Sequence, residues 1–176
     1  GYHAVLAARV FKHEVVQRMA AVSPVTVVNM LSDAAHPLQA LADVLTMQQV
    51  HGSLAGKTVA WVGDYNNVCR SLCEAVVMLG GNVVVGAPSG YHPSDAELAR
   101  LNSVGDGSVR HVVSAVDAVS GAIAVHTDTW TSMGQEAEKA ARVEVFSPYQ
   151  VDASLMAAAR SEEHTSELQS LRHLVC

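Results

Sequence analysis

Four short polar segments contain the residue types that bind and activate small polar substrates. Histidine, glutamine, asparagine and aspartate side chains supply both donors and acceptors of hydrogen bonds. The segments are "NMLSDAAHPLQ" (29–39), "GDYNN" (63–67), "PSGYHP" (88–93) and "TDTWTSMGQE" (127–136). Turn formation explains any one of them, because Asp, Asn and Gly favour turns. Their repeated occurrence after apolar runs indicates a polar binding site.

His36 and Gln39 form the most specific pair within these segments. The apolar spacing that follows predicts a helix beginning near Pro37, and proline is favoured in the first helical turn. Residues three apart share a face of a helix, so the two polar side chains are expected to lie together. The pattern alone nevertheless favours an ordinary capped helix. Its predicted packing residues are Leu38, Leu41, Ala42 and Leu45.

Alternating strands and helices are predicted to position the polar segments. β-Branched apolar runs bounded by turn residues predict buried strands at 25–29, 57–63, 82–88, 110–113 and 122–127. Helical patterns cover 11–22, 36–49, 66–79, 94–102 and 134–142. This alternation predicts an α/β fold of parallel sheets flanked by helices. Ligands of such folds bind beyond the carboxyl ends of the strands, and the polar segments follow predicted strands.

The segment "HGSLAGK" (51–57) marks a predicted domain boundary. We expect residues 1–50 to be the C-terminal part of one α/β domain, whose last helix crosses to a second domain over 51–159. The sequence begins without an initiator methionine or a targeting pattern, so we expect the chain to start within a longer protein. Residues 160–176 match the translation of a sequencing adapter and are excluded from reasoning about fold and function.

Composition narrows the class of protein. The chain has 176 residues, 49% of them hydrophobic, and a formal net charge of −6, which is typical of a globular protein that binds neither nucleic acid nor membrane. No apolar run approaches the roughly 20 residues of a membrane span. Three cysteines, Cys69, Cys73 and Cys176, form no zinc signature and are predicted to be reduced thiols.

Two other classes of site lack their sequence signatures. The strand and turn at "WVGDYNNV" resemble a dinucleotide site in order, but the G-x-G-x-x-G that approaches a pyrophosphate is missing. The next predicted strand also ends without an acidic residue for a ribose hydroxyl. No G-x-S-x-G or H-E-x-x-H is present, which argues against a hydrolase and a zinc protease.

Together the segments resemble the ornithine carbamoyltransferase family of the aspartate/ornithine carbamoyltransferase superfamily. The resemblance runs from about residue 4 to 159. It is carried by "ARVFKHE", "LSDAAHPLQALADVLTMQ", "WVGDYNNV", "TDTWTSMGQEAEK" and "YQV". The segment "DTWTSMG" separates the ornithine-specific enzymes from their aspartate-specific relatives. Met30 and Tyr65 stand where glycines are usual in the family, which puts the local loop geometry in question.

The resemblance implies the end of a carbamoyl-phosphate domain followed by most of a Rossmann-like ornithine-binding domain. The implied reaction transfers a carbamoyl group from carbamoyl phosphate to the δ-amino group of L-ornithine, giving L-citrulline and phosphate in arginine biosynthesis or the urea cycle. It needs no metal or organic cofactor, because positioning and fixed donors supply the catalysis. The family is typically trimeric and lies in the cytoplasm or the mitochondrial matrix.

The resemblance also assigns candidate site residues. Those matched to carbamoyl phosphate are Arg9, His36 and Gln39, and those matched to ornithine are Asn67, Asp128, Ser132 and Met133. The family's Ser-x-Arg-Thr and His-Cys-Leu-Pro motifs are absent from the sequence, so no complete catalytic set is present and the chain alone is expected to be inactive. Two alternatives stay open: a non-catalytic binding or regulatory homologue of the same fold, and another carbamoyltransferase.

Overall fold

The structure is a computed structural model, and it describes residues 3–131 and 136–160. Two parallel sheets are flanked by helices, which confirms the predicted fold class. Residues 161–176, nearly all of the segment matched to an adapter, lie outside the described residues. No helix in the described ranges is long and apolar enough to cross a membrane.

The first sheet pairs two parallel strands, β1 (Val5–Arg9) and β2 (Thr26–Leu31), which are connected through helix α1 (His13–Val22). The sequence pattern predicted β2 but not β1, because "VLAAR" contains a single β-branched residue. Pairing with β2 stabilises β1 as a strand despite that weak propensity. The register shifts between Ala8 and Arg9, a local irregularity of the kind that redirects a side chain at the end of a strand.

Helix α2 (Pro37–His51) follows β2 and begins at the predicted proline. It ends at Gly52, whose φ of 74° lies in the left-handed region that favours glycine. The predicted packing stripe on this helix was wrong, because Leu38, Leu41 and Leu45 are 38%, 58% and 55% exposed. Its buried residues are Ala40, Asp43, Val44 and Met47. They share a different face, and α2 packs against the next helix, α3 (Asn67–Met78).

The second sheet contains four parallel strands in the order β5-β4-β3-β6. Their bounds are Thr58–Val62 for β3, Asn82–Gly86 for β4, Ser108–Val112 for β5 and Ala124–His126 for β6. Helices α4 (Asp95–Leu101) and α5 (Ala115–Val119) lie between these strands in the chain. The main apolar core includes Trp61 and Leu72, both fully buried. As predicted, Cys69 and Cys73 are buried free thiols in this core.

The opposite face of the second sheet is covered by α5, by the 3-10 helix Ser147–Tyr149 and by α7 (Ala153–Arg160). A 3-10 helix at Glu136–Glu138 and helix α6 (Lys139–Phe146) precede the last two elements in the chain. Ala60 and Val62 of β3 point into this second cluster, where they pack with residues such as Leu155. The sheet is therefore buried on both faces, as its continuous apolar strands predicted.

Candidate functional site

A cavity of about 870 Å³ lies where the carboxyl ends of the first three strands and of β6 meet. The segments that line it begin at Arg9, Leu31, Asp64 and Asp128, and each follows a strand or begins at the last residue of one. Parallel strands bring their carboxyl ends to one edge of a sheet, which explains why segments far apart in sequence converge. Three of the four polar segments contribute to the lining, whereas the segment 88–93 does not.

His36 lies at the start of α2, where it is the residue before Pro37. Its backbone N–H donates to the Ser71 hydroxyl oxygen at 2.9 Å, which fixes the helix start against α3. The side-chain Nδ1 is buried and has no hydrogen-bond partner among the described residues. Burial, and then the positive charge of Arg9, lowers the pKa of His36 below its ordinary value. The imidazole is therefore neutral at pH 7, with one N–H donor and one acceptor nitrogen.

Arg9 supplies a cation to the same cavity. It ends β1 just after the register shift and is exposed there. It forms no ion pair with any described residue, so its charge is uncompensated by the protein in this part of the chain. A guanidinium in that position is suited to hold an anion through several donors.

Gln39 is oriented by α2 itself. Its side-chain Nε2 donates to Asp43 Oδ1 at 2.9 Å, one helical turn further along. Gln39 is not among the residues that line the cavity, whereas His36 is. The two residues share the first turns of α2 as predicted, but the structure brings only His36 to the cavity wall.

Two consecutive asparagines begin α3 and have different partners. The Asn66 side-chain oxygen caps the helix by accepting from Val68 N and Cys69 N, both at 3.0 Å. Its Nδ2 donates to Asp128 Oδ2 at 2.8 Å. The Asn67 Nδ2 donates instead to the Ser32 carbonyl oxygen at 2.7 Å, so this residue joins the β3 end to the β2 end.

Asp128 lies two residues after β6 and lines the cavity. Its Oδ1 accepts from Thr129 N at 2.7 Å and its Oδ2 accepts from Asn66. These donors hold a carboxylate that has no cationic partner among residues 3–131 and 136–160. A carboxylate fixed in this way can bind an ammonium group. Ser132 and Met133, the other two predicted ornithine residues, lie outside the described residues.

Arg142, which the sequence analysis did not single out, holds a neighbouring part of the wall. It comes from α6 and is only 4% exposed, with its guanidinium paired to Asp64 and bonded to the Trp130 carbonyl oxygen. The rings of Tyr91 and Phe146 lie 5.2 and 5.1 Å from its central carbon. Asp64 is therefore compensated within the protein, unlike Asp128. Sequence spacing gave no signal for this long-range pair.

The two departures from the family pattern are accommodated differently. Met30 lies within β2 and is 39% exposed, so the strand continues through a position where glycine is usual. Tyr65 lines the cavity, and its hydroxyl donates to Glu97 Oε1 at 2.7 Å. Burial and that hydrogen bond raise the pKa of Tyr65. The phenol is neutral at pH 7 and is fixed to α4.

Comparison with known proteins places both regions in one family. Residues 1–49 match the carbamoyl-P binding domain of aspartate/ornithine carbamoyltransferase. Residues 55–165 match the Asp/Orn binding domain of the same family.

Individual relatives give the same result. The chain is 49% identical over 157 residues to an ornithine carbamoyltransferase of Thermus thermophilus, covering 89% of this chain and 50% of that protein. It is 47% identical over 154 residues to the anabolic ornithine carbamoyltransferase of Pseudomonas aeruginosa, covering 88% and 49%. The chain therefore spans about half the length of these relatives.

Solved structures agree with the sequence matches. The ornithine carbamoyltransferase of Pyrococcus furiosus superposes with a TM-score of 0.82 at 40% identity, over 89% of this chain and 51% of that one. The Thermus thermophilus crystal structure superposes with a TM-score of 0.77 at 44% identity, over 89% and 50%. These structures share the arrangement of strands and helices that forms the cavity.

Proposed function

The chain belongs to the aspartate/ornithine carbamoyltransferase family, and from this we propose that it serves carbamoyl transfer from carbamoyl phosphate to the δ-amino group of L-ornithine. The products are L-citrulline and phosphate. The observation that carries the proposal is one cavity lined by the uncompensated cation Arg9, the neutral His36 and the fixed carboxylate Asp128. These are the charges that an anionic donor and an amino-acid acceptor require.

On the carbamoyl-phosphate side, Arg9 binds the anionic end of the donor and His36 donates to its carbonyl oxygen. Donation to that oxygen stabilises the negative charge that develops when the amine attacks. Gln39 accepts from the carbamoyl NH2 group once the donor is bound. A neutral imidazole suits this task because it has one N–H group that can donate to the carbonyl oxygen.

On the ornithine side, Asp128 binds the α-ammonium group and Asn67 binds the amino-acid backbone. Ser132 and Met133 belong to the same binding group by resemblance to the family. The δ-amine, once it has lost a proton, attacks the carbamoyl carbon. A C–N bond forms, the C–O bond to phosphate breaks, and phosphate leaves with the proton that the attacking nitrogen gives up. Rate enhancement comes from holding the two reactants in this orientation.

The organisation of the protein forms part of the proposal. Residues 1–50 provide the carbamoyl-phosphate side and residues 51–159 the ornithine side. The complete enzyme is a homotrimer located in the cytoplasm or the mitochondrial matrix. The printed sequence contains neither Ser-x-Arg-Thr nor His-Cys-Leu-Pro. We therefore expect the chain alone to form no citrulline.

The test is a hybrid in which residues 1–159 replace the aligned half of the Thermus thermophilus relative. We expect it to form citrulline when both substrates are supplied. Asp128→Asn should lower kcat/KM for ornithine by roughly 100-fold, because it removes the partner of a charged group. Asp95→Asn is the matched control, since Asp95 is exposed on α4 and does not line the cavity.

Three results would contradict the proposal. Preferential carbamoylation of L-aspartate would identify another carbamoyltransferase. Binding of both substrates without product would identify a non-catalytic homologue. Equal effects of Asp128→Asn and Asp95→Asn would remove Asp128 from the binding site.

A further inference from the structure

A row of three polar side chains connects α2 to β6. It runs from Gln39 Nε2 to Asp43 Oδ1 at 2.9 Å, and from Asp43 Oδ2 to His126 Nε2 at 3.4 Å. Asp43 is 2% exposed and His126 is 6% exposed. Gln39, at one end of this row, lies on the helix that begins after His36. His126, at the other end, lies two residues before Asp128 in the sequence.

Asp43 requires a partner because it is a carboxylate removed from water. An uncompensated buried charge is strongly destabilising, so buried carboxylates are paired or hydrogen-bonded. Its Oδ1 is bonded to Gln39, whereas its Oδ2 has no hydrogen bond from any described residue. The nearest nitrogen of a basic side chain within residues 3–131 and 136–160 is His126 Nε2, which lies 3.4 Å from this second oxygen. Compensation of the second oxygen therefore depends on this imidazole.

His126 is held in place from the other side. Its ring stacks on Trp61, with centroids 5.7 Å apart and planes inclined by 10°. Trp61 is its register partner on β3, so both the strand pairing and the ring contact fix the imidazole. Burial lowers the pKa of His126, and the charges of Asp43 and Asp128 oppose that effect. The ring turns its Nε2 towards Asp43 Oδ2, which lies 3.4 Å away.

We propose that His126 is a positioning residue for carbamoyl transfer, acting through Asp43 to fix the side-chain amide of Gln39. The Asp43 carboxylate accepts from Gln39 Nε2 and faces His126 Nε2 with its other oxygen, so Gln39 directs its Nε2 to Asp43 and its Oε1 away from it. The same contacts hold the helix that begins after His36 against the strand that leads to Asp128. This inference rests on the proposed function for its catalytic consequence, but the contact itself exists independently of that function.

The kinetic test compares three variants in the hybrid enzyme. His126→Phe keeps an aromatic ring against Trp61 but removes the donor, and we expect kcat to fall roughly 10-fold to 100-fold, as small misplacements of a binding group do. The KM for ornithine should change less than about threefold, because Asp128 and Asn67 remain. His126→Gln, whose amide nitrogen replaces Nε2, should restore kcat to within about threefold.

His111→Phe is the matched control. His111 is a partly buried histidine on β5 whose Nε2 lies 2.9 Å from the Ala87 carbonyl oxygen, and it does not line the cavity. We expect it to leave kcat unchanged. If His126→Phe does not fold, His126→Asn replaces it, because the shorter amide does not reach Asp43. Equal kcat values for the Gln and Asn or Phe variants would overturn the positioning role.

A second readout uses the chain as printed and requires no activity. The side-chain amide protons of Gln39, assigned by NMR through their loss in Gln39→Ala, should exchange with water at least about tenfold faster in His126→Phe than in His111→Phe. Unchanged exchange would overturn the proposal even in an active hybrid. Faster exchange together with an inactive unsubstituted hybrid would support the contact and contradict the proposed function instead.

Discussion

The two sheets are both built from short parallel strands followed by helices, but they differ in burial. In β3, the residues from Val59 to Val62 are completely inaccessible, because helices cover both faces of the second sheet. In β1, Ala8 is the buried residue and Val5 is 53% exposed. An apolar strand followed by a helix therefore does not fix how deeply the strand is buried. The burial of a strand depends on how many helices cover the two faces of its sheet.

The two sheets contribute differently to the stability of the protein and to the candidate site. The second sheet carries the apolar core, and α2 adds Val44 and Met47 to that core rather than building one with β1. The first sheet contributes Arg9 and the polar residues after β2 to the cavity. Helix α2, which follows the first sheet, thus buries its apolar residues in the core of the second sheet. The cavity is lined by residues that follow strands of both sheets. Four experiments test this contrast, from the largest expected effect to the smallest.

Replacing a leucine on each of two facing helices gives the largest contrast. Leu72→Ala in α3 removes a fully buried side chain and should lower the free energy of unfolding by about 2–5 kcal/mol. Leu41→Ala in α2 changes a residue that is 58% exposed and should cost about 0.5 kcal/mol or less. Urea unfolding of both variants measures the difference. Equal losses would mean that the face of α2 containing Leu41 is covered in solution.

Ion pairs in the two regions provide the second test. Arg142→Met leaves the Asp64 carboxylate without its partner in a site where the arginine is 4% exposed, and should destabilise the chain by about 3 kcal/mol. Lys12→Met in the first region breaks a pair whose side chains are 68% and 39% exposed, and should not change the unfolding midpoint measurably. A large effect of Lys12→Met would contradict the comparison.

A hydrogen bond between the regions provides the third test. Ser71→Ala removes the acceptor of the His36 backbone N–H and should cost about 1–2 kcal/mol, because a partly buried donor loses its partner. The His36 amide resonance should shift in the same variant. Ser103→Ala is the control, since its hydroxyl donates to the Arg100 carbonyl oxygen at an exposed site. A smaller loss for Ser71→Ala than for this control would show that the regions are not joined there.

The pH dependence of a single carboxylate gives the smallest effect. The hydrogen bond from Arg100 lowers the pKa of Glu97 from its ordinary 4.5 to about 2, with further contributions from Tyr65 and Arg70. Its stabilising effect is complete above pH 4.5 and is lost as the pH falls towards 2. Glu97→Gln should therefore lower stability by about 1 kcal/mol or less at neutral pH, since the group is partly solvated.

The measurement for Glu97→Gln is the difference in unfolding midpoint from the unsubstituted chain at pH 7 and pH 3. We expect the difference to shrink at the lower pH. A constant difference would mean that the carboxylate is not the group that titrates. Asp95→Gln, with an exposed acid on the same helix, controls for the loss of one negative charge.

Much of the fold was predictable because its signals are local. The strands of the second sheet were found from β-branched runs between turn residues, and α2 begins at the predicted Pro37. Two of the missed elements have weak local signals, since β1 contains mostly alanine and leucine and α5 has five residues. The eight-residue helix α7 was also missed. The helix predicted over 134–142 is a 3-10 turn followed by α6 from Lys139.

The candidate site was predictable as a set of residues but not as an arrangement. Resemblance to the family supplied Arg9, His36, Asn67 and Asp128, and the structure brings all four to one cavity. Their binding roles stay predictions. Gln39 is not among the residues that line the cavity, and its Nε2 is bonded to Asp43, which no periodicity could indicate.

By itself the sequence determined most of the order of strands and helices and the family, because apolar periodicity, turn residues and motif spacing are local properties of the sequence. Only the tertiary structure decided which face of α2 is buried, since the exposed leucines fit a helical stripe as well as the buried residues do. It also decided the pairs Asn66 with Asp128 and Asp43 with His126. Those contacts join residues far apart in sequence, so they arise only when the parallel strands bring their ends together.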